Sequence, residues 1–583
     1  MPTSARWIFH PAPAQDLAAF ALGLGVSRPV AALLWQRGFQ DAGAAGAFLN
    51  PSFGGLFDPF AFRDMLPAVD RIAKAIREGE RILLYGDYDV DGTTSVAILA
   101  ATLRMMGASP AHHIPHRLRD GYGIHAQVIE REAALGTKLI VSVDTGIRAA
   151  EEVLLAQRLG IDMIVTDHHL PDGQLPPAHA VLNPNRPDST YPEKVLCGVG
   201  VTFKLIQGLL AQSGWPQAKR DRLLYSLLKL VAIGTIADVV PLTGENRTLV
   251  SLGLRGLRET SSPGLAALMQ VAGFKPGELP SSGQVAFRLA PRINAAGRMA
   301  DAGEVVELFL TQDPSRARAI AEMLDRLNAE RQAAEKEIVS AILDECQRQP
   351  PRDSDAALVF CKPEWHRGVV GIVASRLVER YCRPVFVLGG DGDSGIAQGS
   401  GRSVRAFSLV EALETMPELF ERFGGHHMAA GVTMPSSRVA EFRERLNAVA
   451  ANLLKPEDFA PTLGIDATTE VADVGEVLAN EVETLGPFGL GNPTPVFALL
   501  EAEIAPDPAI FAERHLRLRA RKDGRFLRFT AWQFAERSQE FVPGRLMDLA
   551  FTAELDPRSA EKGYPGWVLN LKDARTARPE GRP

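Results

Sequence analysis

Three carboxylates at alternate positions, Asp87, Asp89 and Asp91, follow directly on the apolar run Ile82-Leu83-Leu84 in RILLYGDYDVDGTTSVAIL, residues 81 to 99. The apolar run reads as a short buried strand. If the chain stays extended beyond it, the period-2 rule sets all three side chains on one side. Carboxylates held so close repel one another and raise their pKa values, and one or two divalent cations with oxygen ligands relieve that repulsion. Gly92 then permits a tight turn, and an apolar helix is expected from Thr93 onward.

Calcium EF-hand loops also begin Asp-x-Asp-x-Asp-Gly. Here, however, Ile98 stands at the twelfth position, where a bidentate Glu is required, and a strand precedes the loop. The plainer alternative is an acidic, solvated turn, since Asp and Gly are ordinary turn residues. The rest of the chain argues against it.

From 81 to about 240, apolar runs alternate with helical segments, the pattern of a doubly wound parallel sheet. KLIVSVDTGI (138 to 147) ends in Asp144, and IDMIVTDHHLP (161 to 171) ends in Asp167, His168 and His169. LVAIGTIADVVPL sets Asp238 after a further apolar segment. Ligands of open parallel sheets sit outside the carboxyl ends of the strands, so these residues are expected to converge on the Asp87 cluster. One acidic strand end is a turn; four make a site. A lone histidine is ordinarily a core or surface residue, but Asp-His-His at a strand mouth beside other carboxylates is a ligand pattern. Without thiolates, that set suits Mn²⁺ or Mg²⁺ better than structural zinc. CGVGVTF (197 to 203) lacks the third glycine and the Lys-Ser/Thr of nucleotide loops and is expected to serve packing.

A chain of 583 residues exceeds one core and implies about three to five domains. Hydrophobic residues at 46% with 23% charged residues are those of globular proteins. No apolar run of ~18 residues is present to span a bilayer, and MPTSARWIFHPAP lacks the apolar core of a signal peptide, so a cytoplasmic protein with no membrane association is expected. Cys197, Cys346, Cys361 and Cys382 have no C-x-x-C spacing and read as core thiols.

The net charge of −7 conceals a basic surface. Glu457 to Glu513 holds twelve acidic residues and no Lys or Arg, whereas RHLRLRARKDGRFLR (514 to 528) holds seven basic residues and one acid, Asp523. Asp523-Gly524 is a strong two-residue hairpin turn, pairing Leu518 with Phe529 and Ala520 with Leu527 on one face. The other face then carries Arg517, Arg519, Arg521, Phe526 and Arg528, with Arg519 directly opposite Arg528. Like charges so placed are destabilising unless a polyanion relieves them, and an aromatic ring among arginines suits single-stranded nucleic acid. The alternative is a solvated hairpin face.

GDYDVDG, SVDTGI, VTDHHLP and IGTIADVVPL, in this order, resemble the four motifs of the DHH phosphoesterase superfamily. APRINAAGRM (290 to 299), EWHRGVVGIVASRL (364 to 377), GSGRSVR (399 to 405) and FGGHHMAAG (423 to 431) resemble further blocks of its single-strand-specific 5′→3′ DNA exonucleases, and the likeness covers about residues 15 to 575. Five parts are implied: a helical lead-in (1 to 75) packed on the next domain, a DHH domain (76 to 310), a connecting helix (311 to 349), a smaller DHH-associated α/β domain (350 to 455) and a β-rich OB-like domain (460 to 575).

The resemblance also implies a mechanism. Asp87, Asp89, Asp91, Asp144, His168 and Asp238 would hold two divalent ions, Mn²⁺ or Mg²⁺, with Asp167 and His169 in supporting or substrate-contact roles. The 5′ phosphate would be held by Arg117, Arg298, Gly399, Ser400 and Arg402, with Arg292 the competing arginine in the same block as Arg298, and His426 would touch substrate. A narrow channel between lobes would admit one strand and exclude a duplex. Single-stranded DNA, a helicase and a single-strand-binding protein are the implied partners. Two other readings remain open: a phosphodiesterase for short oligonucleotides or small nucleotides, and a DHH-like structural component of a replication complex.

Overall fold

Ile82, Leu83, Leu84 and Tyr85 are all buried, so the strand Arg81–Gly86 is covered on both faces. Its even-numbered residues Ile82 and Leu84 join one apolar cluster with Val141 and Ile164, and its odd-numbered residues Leu83 and Tyr85 join another with Ile140 and Val165. This is the alternation expected of a parallel strand between two helical layers. The computed structural model describes residues 5–11, 17–117, 119–352, 354–390, 395–561, 563 and 565–577. They fall into two compact units: one of 46–329 with 485–494, the other of 1–45, 330–484 and 495–583.

In the first unit five parallel strands lie in the order Ala111–His113, Arg81–Gly86, Thr137–Val143, Asp162–Thr166 and Ala180–Leu182. The order reverses beside Arg81–Gly86, whose neighbours are the strand after it and the strand after that. Ligands of such sheets bind at this switch point, and Asp87 and Asp144 follow its two flanking strands directly. Beyond the sheet the unit is helical, with Gln217–Ala237, Gly244–Leu257 and Ala290–Met299 around a further apolar cluster.

Two expectations are corrected here. The chain does not stay extended through Asp91, because the helix Val90–Met105 begins before Thr93. Asp89 is its N-cap, accepting the Gly92 N–H at 3.0 Å. Gly92 is needed for close approach: a Cβ there would stand 2.5 Å from the Asp87 carbonyl oxygen. Asp238, for its part, does not end a strand. It caps the 21-residue helix Gln217–Ala237, because the apolar residues before it continue the helical run from Leu223 without a break.

In the second unit a mixed sheet runs Arg422–Gly425, Ala429–Pro435, Ile396–Arg402, Val385–Gly390 and Leu358–Cys361, with only the last pair parallel. GSGR, whose glycines and arginine would suit a loop approaching a phosphate, is thus an interior strand. A Cβ at Gly401 would meet the Phe386 ring at 2.4 Å, so that glycine answers to packing. The C-terminal strands Phe497–Ile504, Leu546–Leu555, Trp567–Thr576, Arg525–Ala531 and His515–Lys522 pair in sequence round a barrel closed by pairing of the first with the last.

The N-terminal lead-in is helical over Ala18–Leu49 but begins with the strand Arg6–Phe9, parallel to Thr462–Ile465. Trp7 donates its indole N–H to Asp573 at 2.8 Å, so this end belongs with the C-terminal strands and not with the domain that follows it in sequence. The connecting helix is continuous over Pro314–Arg348. No single helix among the described residues is long and apolar enough to cross a membrane.

Candidate active site

At the switch point the carboxylates are placed by three different devices. Asp87 leaves the strand Arg81–Gly86; Asp91 sits in the first turn of the following helix; Asp144 leaves Thr137–Val143 with φ at 60°, a left-handed conformation rare for a residue other than glycine. Asp91 is anchored by the N-terminus of another helix, Gly198–Gln212, whose Gly198 and Val199 N–H groups donate to its two oxygens at 2.6 and 2.7 Å. Gly198 also backs onto Asp144, where a Cβ would stand 2.6 Å from the carboxylate. CGVG is therefore part of the site, as a carboxylate cradle.

His168 joins the clusters. Its Nε2 lies 3.2 Å from Asp144 Oδ1, 3.6 Å from Asp238 Oδ2 and 3.8 Å from Asp91 Oδ2. Asp87, Asp89 and Asp144 bring ligand atoms within 4.8 Å of one another; so do Asp91, His168 and Asp238, and Asp144, His168 and His169. Asp87 Oδ1, Asp144 Oδ1, His168 Nε2 and Asp238 Oδ2 are buried and make no hydrogen bond. Buried polar atoms almost always find a partner, so four together mark a place built for something else.

The electrostatics agree. Burial, and then the neighbouring Asp89, pushes Asp91 up to about 7 and Asp87 well above the carboxylate range. Burial, Asp91 and Asp89 push Asp238 up to about 9, and the same three raise Asp144 strongly. Burial and the adjacent His169 bring His168 down to about 4, leaving it a neutral imidazole able to donate a lone pair.

Asp167 behaves differently. It accepts the N–H groups of Ile147, His168 and His169 and the Nδ1 of His169 at 2.7 Å. Burial opposes its ionisation, but the His169 bond and these amides outweigh it and hold the group below its usual range. Its oxygens hold the His-His turn. His169 is raised in turn, the Asp167 bond outweighing burial.

Several neighbours escaped the sequence reading. Asn183 and Asn185 donate to the carbonyls of His169 and His168 at 2.9 and 2.7 Å. Tyr122 Oη lies 3.2 Å from His169 Nδ1. The Asn-Pro-Asn sequence directly after the strand Ala180–Leu182 was the available signal for the first two.

Arg117 lies over the Tyr88 ring at 4.8 Å, and the helix carrying Arg298 backs onto the Tyr88 carbonyl through Gly297. Arg292 is engaged by Asp325 at 2.8 Å and by the Arg288 carbonyl at 2.6 Å. In the other unit, Ser400 Oγ and an Arg402 nitrogen crowd Gly371, in the first turn of the helix Val370–Tyr381, at 3.3 and 3.2 Å from where its Cβ would be. Gly399 shares that strand, and His426 lies at the adjacent turn, its N–H donating to the Ala429 carbonyl.

The basic hairpin forms in the expected register, with Leu518 opposite Phe529, Arg519 opposite Arg528 and Ala520 opposite Leu527. Asp523 and Gly524 turn at φ 49° and 78°. Phe526 is 56% exposed with Arg519 5.8 Å from its ring centre, and Arg517 lies over Phe511 at 4.5 Å. Arg521, in contrast, is paired with Glu503 at 2.6 Å.

Three family models match the chain: DHH family, N-terminal domain, over residues 81–235; DHHA1 domain over 354–452; and RecJ OB domain over 465–560. The chain is 40% identical over 542 residues to the single-stranded-DNA-specific exonuclease RecJ of Bacillus subtilis, covering 92% of this chain and 67% of that one. To the RecJ of Escherichia coli it is 38% identical, over 77% of this chain and 80% of that one. The crystal structure of RecJ in complex with Mn²⁺ from Thermus thermophilus superposes with a TM-score of 0.83 at 32% identity, covering 99% of this chain and 80% of that one.

Proposed function

Because this chain belongs to the RecJ family of single-stranded-DNA-specific exonucleases, we propose that it hydrolyses single-stranded DNA from the 5′ end, using two divalent cations, Mn²⁺ or Mg²⁺. One observation carries this reading: four buried ligand atoms, on Asp87, Asp144, His168 and Asp238, converge at the switch point without a hydrogen bond. Five carboxylates and a neutral imidazole, with no thiolate, fit hard divalent cations. Asp87 and Asp89 would hold one, Asp91, His168 and Asp238 the other, and Asp144 both. Such ions lower the pKa of a bound water and neutralise charge on the leaving oxygen.

The remaining groups orient and hold protons. The helix N-terminus at Gly198 keeps Asp91 turned inward, and Asp144 is carried on a strained backbone that sets its carboxylate between the two groups. Asp167 keeps His169 oriented and favours its protonated form, which suits that imidazole to a negative phosphate or a leaving oxygen. A degradation assay on 5′- and 3′-labelled single strands, with duplex controls, tests the whole reading. Release of label first from the 3′ terminus rejects it.

For end recognition, Ser400 and Arg402 offer a hydroxyl and a guanidinium beside a helix N-terminus, a combination suited to a terminal phosphate. Arg117 and Arg298 are the corresponding candidates of the DHH unit, with Arg292, which donates to Asp325 at 2.8 Å, the competing arginine of the same block. Arg402→Ala is expected to lower the cleavage rate on 5′-phosphorylated strands far more than on 5′-hydroxyl strands. Equal losses on both would show that this strand does not read the end.

The barrel hairpin supplies affinity. Arg517, Arg519, Arg521 and Arg528 are its candidate phosphate contacts, Arg521 also pairing with Glu503 at 2.6 Å. Each neutralised phosphate contributes a slope of about 0.7 in log affinity against log salt on a single strand. Replacing Arg519 and Arg528 together is expected to flatten the slope by about 1 to 1.5 units, and Phe526→Ala to cost roughly 1–3 kcal/mol of stacking at nearly constant slope. Unchanged affinity and salt dependence for long strands in the double variant would leave the face a solvated surface. A strand-specific substrate also calls for a helicase and a single-strand-binding protein as partners, in the cytoplasm where that DNA is exposed.

A further inference from the structure

The turn that follows Asp238 is held by a segment some 250 residues further along the chain. Val239 stands at φ 60°, an unfavourable conformation for a β-branched residue, and its side chain is 64% exposed, so burial does not offset the strain. Its flanks must impose it. On the far side of Val239, buried Asn246 donates to the Pro241 carbonyl at 3.1 Å, and the Leu242 N–H donates to the Leu490 carbonyl at 2.7 Å. Gly489 and Gly491 lie flat against this turn. A Cβ on Gly489 would stand 2.8 Å from Leu242, and one on Gly491 3.0 Å from Pro241.

Residues 485–494 pack as part of the catalytic unit although they lie in sequence between a helix and a strand of the other. The segment is internally braced. Asn492, 1% exposed, donates through Nδ2 to the carbonyls of Leu485 and Pro487 at 2.8 and 2.9 Å, and backbone bonds join Gly489 to Asn492 in both directions. Arg247 donates to the Leu485 carbonyl at 2.8 Å and Ser282 to the Phe488 carbonyl at 2.6 Å. These bonds seat it on the helices that carry Arg247 and Ser282.

We propose that this strap, with Asn492 at its centre, is a positioning element for the metal ligand Asp238. Asp238 Oδ2 makes no hydrogen bond, so on that side its place opposite His168 depends on the backbone of the turn, and the strap holds that turn. The inference rests on the reading of Asp238 as a ligand. It gives LGPFGLGN a role that neither its composition nor its distance from the DHH motifs announces: the chain entering the C-terminal barrel also presses the metal site into shape.

Calorimetric Mn²⁺ titration of the full-length, chelator-stripped protein tests it. Asn492→Ala is expected to weaken Mn²⁺ binding by on the order of 10–100-fold, the usual effect of losing an outer support of a metal ligand, with nuclease activity recovering at high Mn²⁺. In an Asp238→Asn background the same change should add nothing. Gly491→Ala, which pushes on Pro241 from an exposed position, should weaken binding in the same direction and serves if Asn492→Ala does not fold. Wild-type Mn²⁺ affinity in either folded variant, with only a lower melting temperature, overturns the proposal and leaves the strap a structural brace. Wild-type affinity in Asp238→Asn alone places the failure in the ligand assignment itself and removes the proposal with it.

Discussion

Asp144→Asn is expected to lower the rate of single-strand hydrolysis by on the order of 10³-fold or more while leaving the metal-free protein as stable as the wild type, or more so. Asp144 is shared: its carboxylate belongs to the group with Asp87 and Asp89 and lies 3.2 Å from His168 in the other. Losing its charge therefore weakens both halves of the site together. Asparagine keeps the shape and accepts a positive φ more readily than most residues, so the backbone at 60° is retained. Removing one charge from a buried cluster relieves repulsion with Asp91, Asp89 and Asp238. Loss of activity with no loss of melting temperature is the signature of a ligand, whereas a core residue would lower both. His168→Ala should follow the same pattern. Full activity in either variant, or after exhaustive chelation, would reject metal-assisted hydrolysis.

The second large effect is a melting temperature that falls with rising pH far more steeply when metal is absent than when it is bound. Asp91 and Asp238 are pushed up to about 7 and about 9, in both by burial first, and then by Asp89 at Asp91 and by Asp91 and Asp89 at Asp238. An unfolded aspartate titrates near ~3.9. A carboxylate whose folded pKa is raised binds more protons folded than unfolded, so its contribution is full below the unfolded value and is lost as pH rises through the folded one. The chelator-stripped protein should therefore melt progressively lower from pH 6 to pH 9, by on the order of 5 °C for its catalytic unit. Mn²⁺ at a hundredfold its dissociation constant adds about 2.7 kcal/mol and should restore most of that loss, acting more strongly at pH 9 than at pH 6. A stripped protein that gains stability towards pH 9, or one indifferent to Mn²⁺, would contradict the picture of a repulsive cluster held for cations.

Elements encoded over a few residues were legible. The hairpin around Asp523-Gly524 could be built residue by residue, since a two-residue turn sets the register and the register sets both faces. The parallel strands before Asp87, Asp144 and Asp167 could be placed because continuous apolar runs of that length need cover on both sides. The pairing of Arg521 with Glu503 was not accessible, because the partner lies on another strand.

What the sequence by itself determined is which acidic and histidine residues, the candidate ligands, close the apolar runs, and that strands precede Asp87, Asp144 and Asp167; carboxylates gathered so closely repel one another unless cations, amides or a histidine relieve them. What only the tertiary structure decided is how those ligands are aimed. The apolar run before Asp238 reads as one more strand end, and the structure makes it the last turns of a long helix. Asp91 is held by amides 107 and 108 residues away, and the turn after Asp238 by a strap beyond residue 484. Periodicity and turn chemistry act between near neighbours along the chain. The direction of a buried carboxylate depends on which distant N–H or carbonyl is brought against its backbone, and packing of the whole unit settles that.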